Sequence, residues 1–525
     1  MSNPGRPPRS PEPVEGSDGE SSVYFSREAV SGVPWMIANK LAMIFVYLGL
    51  SVLTVRLLGP AEYGRFVLAR SITEFLVIIC ALGLDVAILR FVPELVTTRN
   101  QAGLRRFLLR AFALQQIAAA AAVGVLLLAR PLLERAFDVS FAGLLAPAGM
   151  LLAATLFKDA LNNVFTALFR ARIVAVLSFV NGVAWIALLF WLLGRRPDAA
   201  MALGAQSASL LLVYGAGLIL LNRFVRSLRW RSPPSGIGRR RTLSLSLSVM
   251  LNALLRMLML KYTEVFFLGV YCTPVIVGYY DLGYSTPMLV LTLVPAALQT
   301  LLTSAFTQAY ARDPNCLGRL IDSVYKLTIL IVVPLAAFGV FFASRGIVLL
   351  YGSDMAPAGP IAAVFCVLHV LPLISTPLSM AITVKEQVVR MLPYMLLQVG
   401  LNLLLDWALI PVFGVAGAIG AVAGTFFLTI PLRLRAVRSI LGGIHFPTSF
   451  FLRNLLAAVA LAAVMSPLAP RLNLAALAAL GSAYLLLFVV MIRVLRLIRP
   501  ADVADLRALG ISRVNRALDR LVGAH

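Results

Sequence analysis

The sequence predicts an all-α polytopic membrane protein of about 14 transmembrane helices, two parallel six-helix lobes followed by two C-terminal helices. Three observations carry that reading. Of 525 residues, 60% are hydrophobic and only 13% charged, too few polar side chains to coat a water-soluble core, and the mean hydropathy is +0.90. Lys and Arg outnumber Asp and Glu by 46 to 23, yet the excess is parcelled between apolar segments. Short Pro/Gly motifs recur at nearly one offset in the two halves of the chain. A water-soluble enzyme is thereby excluded as the default.

The elements follow in order. Residues 1–30, rich in Pro, Gly, Ser and Glu, read as a disordered cytosolic tail, and no small-residue cleavage site follows the first apolar segment. The first lobe, 31–222, holds apolar segments at about 33–57, 66–92, 107–129, 141–168, 173–193 and 201–221. A basic cytosolic linker, 223–242, leads to the second lobe, 243–440, with segments at about 243–270, 276–302, 325–343, 359–384, 391–410 and 413–431. Gly414, Gly417, Gly420 and Gly424 in the twelfth segment fit either close helix packing or a re-entrant turn. Helices 13 and 14 lie within 441–494, and 495–525 is a basic cytosolic tail able to form an amphipathic helix on the membrane face.

The basic residues set the orientation. Even-numbered loops carry Arg105 and Arg106, Arg170 and Arg172, the run RFVRSLRWRSPPSGIGRRR at 223–241, Lys385 and Arg390, and Arg433 and Arg435, while odd-numbered loops carry far fewer. Cytosolic loops are enriched in Lys and Arg, so both termini are expected in the cytosol. The same parcelling argues against nucleic acid as a partner, because a phosphate-binding surface needs its cations on one face. Cys80, Cys272, Cys316 and Cys366 are far apart and the three histidines share no ligand spacing, so neither a metal site nor a disulfide framework is expected. No cofactor is called for.

Pro60 and Pro274, and likewise Gly64 and Gly278, lie 214 positions apart. Gly204 and Gly417, near the far ends of the two blocks, lie 213 apart. Matching offsets at both ends of a six-span block indicate a repeat, and an even span number makes it parallel. Such a pair can enclose a cavity that rocking exposes to each side in turn.

LTVRLLGPAEYGRFVLARSI (53–72) with ALGLDVAILRFVPEL (81–95) resembles the amino-terminal signature of the Wzx-like polysaccharide flippases of the multidrug/oligosaccharidyl-lipid/polysaccharide exporter superfamily. The residues that carry it are Leu58, Gly59, Tyr63, Gly64, Gly83, Leu84, Arg90 and Glu94. LNLLLDWALIPVFGVAGAIGAVAG (401–424) looks like the matching second-lobe signature through Asn402, Pro411, Gly414, Gly417 and Ala418; Pro60 joins the first set as a structural turn residue. The resemblance implies translocation of an undecaprenyl-diphosphate-linked oligosaccharide across a bacterial inner membrane for cell-surface polysaccharide assembly, alongside membrane lipids and polysaccharide assembly proteins. Alternatives in the same superfamily are a drug/cation antiporter and a lipid II flippase.

Charges at membrane depth are costly and tend to face a bundle interior or a wet cavity. In span seven Arg256, Lys261 and Glu264 qualify; Lys261 and Glu264, three apart, are spaced to pair along the helix, which leaves Arg256 for an anionic headgroup. Arg90, Lys40 and Arg56 are further cavity candidates, arginine being suited to a diphosphate through its two-pronged donor geometry. Arg70 and Glu74 fit a self-satisfied i,i+4 pair. Candidates for coupling to a proton or sodium gradient are Asp406, four residues after Asn402, together with Glu74 and Asp85. His369 alone in an apolar span reads as a packed ring. Lys158 and Asp159, being adjacent, are expected to point apart. A glycosyltransferase or polymerase would need larger hydrophilic loops, and an ATP-driven exporter a GxxxxGK[ST] loop; neither is present in the sequence.

Overall fold

The computed structural model describes residues 18–98, 100–227, 246, 250–255, 257–258, 261–313, 316–442 and 445–495. Among them there is no β-sheet, and ten helices are long and apolar enough to cross a membrane. Large side chains such as Leu128, 84% exposed, and Val464, 78% exposed, cover the flanks of the bundle. Such a surface is stable only against lipid, where apolar exposure carries no penalty.

The first half consists of α1 (Asp18–Ala81), α2 (Leu84–Thr97), α3 (Gln101–Phe137), α4 (Leu145–Ala167), α5 (Ala171–Leu193) and α6 (Ala199–Ser227). Residues 18–30 are helical and continuous with α1. Residues 1–17 and the expected amphipathic segment within 501–525 lie outside the described residues, as does nearly all of the basic linker.

α1 is two helices joined at a corner. Gly59 sits at φ 70°, ψ 174°, a conformation that glycine reaches without a Cβ clash, and Pro60 then supplies the fixed φ that starts the next helix. Span two continues past a second interruption at Leu82 and Gly83, both with positive φ, into α2.

The second half opens, among described elements, with α7 (Tyr262–Tyr271), α8 (Pro274–Arg312) and α9 (Leu317–Tyr351). The tenth apolar segment is broken into α10 (Ala358–Leu368), α11 (Val370–Ile374) and α12 (Thr376–Val384), followed by α13 (Leu392–Phe413) and α14 (Val415–Leu441). α14 is one helix, so its glycines serve packing. A Cβ on Gly417 would lie 2.3 Å from the Leu409 carbonyl oxygen. α15 (Thr448–Met465) and α16 (Leu474–Val494) pack on α9, where Ile329, Val333 and Ala337 meet Phe450, Ala458 and Phe488.

The two halves meet at the corner end. A Cβ on Gly64 would lie 1.7 Å from the Pro274 carbonyl oxygen, and one on Gly278 would lie 3.3 Å from the Pro60 carbonyl oxygen. The two repeated motifs therefore touch each other, each glycine facing its counterpart's proline.

Candidate functional site

Among the described residues, two polar clusters join elements of the interior through networks of hydrogen bonds. The first bridges the halves near the corner. Tyr63 Oη donates to Asp281 Oδ2 at 2.6 Å, Lys261 Nζ pairs with Asp281 Oδ1, and Lys261 also donates to Ser285 Oγ at 2.8 Å. Beside it Arg70 and Glu74 pair at 2.8 Å, as their spacing predicts, and Tyr262 Oη of α7 donates to Glu74 Oε2 at 2.6 Å. Tyr63 and Glu74 belong to the first half, Lys261, Tyr262 and Asp281 to the second. Each carboxylate thus accepts both from a cation and from a tyrosine of the opposite half, which ties the halves together through charge-assisted hydrogen bonds.

This geometry corrects several expectations. Lys261 and Glu264 do not pair: α7 begins at Tyr262 with Lys261 just before it, so Lys261 reaches α8 while Glu264 turns to α13. Arg56 is bonded to main chain. Its Nε and Nη2 donate at 2.7 Å to the carbonyl oxygens of Leu350 and Leu349, the last turn of α9, where main-chain acceptors lack intrahelical partners. Lys158 and Asp159 pair at 2.8 Å rather than pointing apart; the four-carbon stem of Lys158 is long enough to turn back along the helix surface. Arg90 is exposed on α2. Lys40 lies within α1, its side chain outside the described part, and Arg256 lies outside the described residues.

The second cluster joins α7 and α13. Asn402 Nδ2 lies 3.0 Å from Thr263 Oγ1, 3.1 Å from Glu264 Oε1 and 2.9 Å from Asp406 Oδ2. All four residues are buried, Asp406 completely, at 0% exposure. One amide nitrogen carries two hydrogens and here faces three oxygens, so it cannot satisfy them all. Asp406 Oδ1 has no partner, and neither has Thr425 Oγ1 on α14, next to Gly424, whose Cα faces Leu405. Two acids, an amide and the Thr263 hydroxyl, all buried, form an oxygen-rich site suited to a proton or a hard monovalent cation. Asn402 and Asp406 were legible as an i,i+4 pair; Thr263 and Asp281 were not singled out, although a lone acid in the apolar run around 281 was a signal for the latter.

His369 is packed as expected: Nε2 lies 3.0 Å from the Tyr284 carbonyl oxygen, and the ring stacks on Phe365 at 5.3 Å.

A family model described as "Polysaccharide biosynthesis protein" matches residues 52–360, a range that includes the first signature and the corner contact and excludes the second signature. Among solved structures, "Lipid II flippase MurJ, inward closed conformation" superimposes with a TM-score of 0.65 at 13% identity, covering 90% of this chain and 100% of that one. "Inward-facing conformation of a multidrug resistance MATE family transporter of the MOP superfamily" gives 0.57 at 17% identity, covering 76% and 96%. A MOP superfamily transporter from Pyrococcus furiosus gives 0.54 at 15% identity, covering 78% and 96%. At these identities the likeness is one of fold. No curated protein sequence matches the chain.

Proposed function

The chain belongs to the polysaccharide biosynthesis protein family, and on that premise we propose that it is an alternating-access translocase for a lipid-linked glycan in a bacterial inner membrane. The observation that carries this is the corner contact, in which two like halves are locked at one end by reversible bonds. Its cations are already paired: Lys261 with Asp281 and Arg70 with Glu74. When the halves part, Tyr63 and Tyr262 leave those carboxylates and the two cations become available to an anionic headgroup, while an isoprenoid tail stays in lipid. Phosphate can compete with a carboxylate for such donors.

The topology completes the proposal at fourteen spans: α1 crosses twice about Gly59, α4 and α8 supply two more, and the segment leading into α7 another. The basic loops then put both termini in the cytosol and the Pro60 and Pro274 corners outside. The Glu264–Asn402–Asp406 cluster is the coupling site for a proton or sodium gradient. Glu74 and Asp85 do not belong to it.

Two substrates fit one cavity chemistry. The family match supports an undecaprenyl-diphosphate-linked oligosaccharide, and the overlay with the lipid II flippase over the full length of that chain supports lipid II. Proteoliposomes carrying each lipid decide between them, with leaflet exposure scored by an impermeant glycan-modifying enzyme, with and without sodium and proton gradients. Flipping of the oligosaccharide lipid alone favours the first reading and of lipid II alone the second. Flipping of neither, with gradient-driven efflux of a cationic drug, rejects both in favour of a drug/cation antiporter. Asp406→Asn is expected to abolish gradient dependence, and unchanged dependence would remove the cluster from coupling.

A further inference from the structure

We propose that the interruption of span two at Leu82 and Gly83 is a binding site for a monovalent cation of sodium size, separate from the Asp406 cluster. The site is built from four groups in the first half. α1 ends at Ala81 and α2 begins at Leu84; the Ala81 carbonyl takes its donor from a side chain of another helix, Gln115, and Asp85 stands in the first turn of the next helix. From Pro60 to Ala81 the helix rises roughly 32 Å at about 1.5 Å per residue, which puts the break at the far edge of the hydrocarbon from the corners. Discontinuous spans of this kind present bare main-chain oxygens where cations can bind.

The side chains around the break have unmet acceptors. Gln115 of α3 is completely buried, at 0% exposure; its Nε2 donates to the Ala81 carbonyl oxygen at 3.2 Å, while its Oε1 has no partner. Asp85 Oδ1 is enclosed and without a partner, and Asn163 and Gln115 are among the polar neighbours of the same carboxylate. The charges of Asp159 and Lys158 of α4 also act on Asp85, but the two are paired with each other at 2.8 Å and oppose one another. That leaves one carboxylate with an enclosed oxygen and without a counter-ion, an arrangement that is costly away from water.

The donor set selects the ligand. Carboxylate, carboxamide and main-chain oxygens suit a hard cation. One uncompensated negative charge balances a single positive one, whereas divalent sites generally gather more carboxylates. Rotating the Gln115 amide by half a turn exchanges its donor for its acceptor and turns Oε1 toward the Ala81 carbonyl and Asp85, with no change in packing volume.

The break is also where the halves touch away from the corners. A Cβ on Gly83 would lie 2.0 Å from the carbonyl oxygen of Ser246, at the start of span seven, and Ser246 Oγ is itself buried without a partner. A bound cation would fix the geometry of Gly83 and so hold this second contact shut; its loss would loosen the contact. The inference does not rest on the substrate proposed above.

Equilibrium binding of radioactive sodium to the full-length protein in lipid nanodiscs, with choline as the balancing ion, tests it. Asp85→Asn and Gln115→Leu are each expected to weaken one class of sodium binding about 10-fold or more. The class removed by Asp406→Asn should remain in both, and the Asp85/Asp406 double variant should bind none. Sodium binding by Asp85→Asn indistinguishable from that of the unaltered protein, at equal thermal unfolding temperature, would overturn the site, as would loss of all binding in Asp406→Asn alone. If Gln115→Leu does not fold, the near-isosteric Asp85→Asn decides. Retention of both classes in Asp406→Asn would count against the coupling site and leave this one standing.

Discussion

Gly64 has no room for a methyl group, because its neighbour at 1.7 Å from an added Cβ is a main-chain oxygen of Pro274 and packed backbone yields little. Gly64→Ala is therefore expected to destabilise the corner contact by about 1–3 kcal/mol and to shift the protein toward the state open at that end, read as faster labelling of a cysteine at position 285. Gly49→Ala, which meets nothing within 4 Å, should leave labelling unchanged. Equal labelling of the two variants would show that the corner does not gate access. At Asn402 the amide holds two acids together, so Asn402→Leu should weaken ion binding at that cluster about 10- to 100-fold with normal insertion, and Asn402→Ser should recover part of it; sodium binding unaltered in Asn402→Leu would exclude the role. These residues differ in how visible they are before folding. Asn402 and Asp406 are neighbours in sequence and can be read as a pair. Asp281 acquires its meaning from Tyr63, 218 positions away, and no local pattern announces such a partner.

At the scale of elements, hydropathy locates apolar segments but not the faults within them. Span two was legible as a single run over 66–92, whereas it starts at Pro60 and breaks at Leu82 and Gly83; span ten reads as continuous and is three short helices. In both places the apolar composition persists through the interruption, and buried Gln115 supplies the Ala81 carbonyl with a donor from another helix. The Gly59–Pro60 corner was legible because both residues act through their own backbone. Arg56 illustrates the reverse. A cation near a span end suggested a phosphate ligand, but the carbonyls of α9 claim it. Arg56→Gln is expected to lower stability by about 1 kcal/mol and to leave substrate affinity unaltered, measured by thermal unfolding and by concentration dependence of flipping. A rise in apparent KM without loss of stability would return Arg56 to the substrate path.

For the whole molecule, closure and turnover should be mutually exclusive. With Cys80, Cys272, Cys316 and Cys366 replaced by alanine, cysteines at 60 and 278, whose main chains approach each other across the corner, should join through a short thiol-specific linker. Flipping should stop on cross-linking and return on cleavage of the linker; undiminished flipping by fully cross-linked protein would rule out rocking about this contact. The corner has one more consequence. Gly64 rests on Pro274 while Gly278 approaches Pro60, the reciprocal pattern of an isologous dimer in which patch i meets patch j twice over. The covalent linker is then dispensable for recognition between the halves, since the information for pairing resides in the paired surfaces. Two polypeptides severed between residues 230 and 240 and produced in the same cell should find one another and complement, as subunits of a heterodimer do.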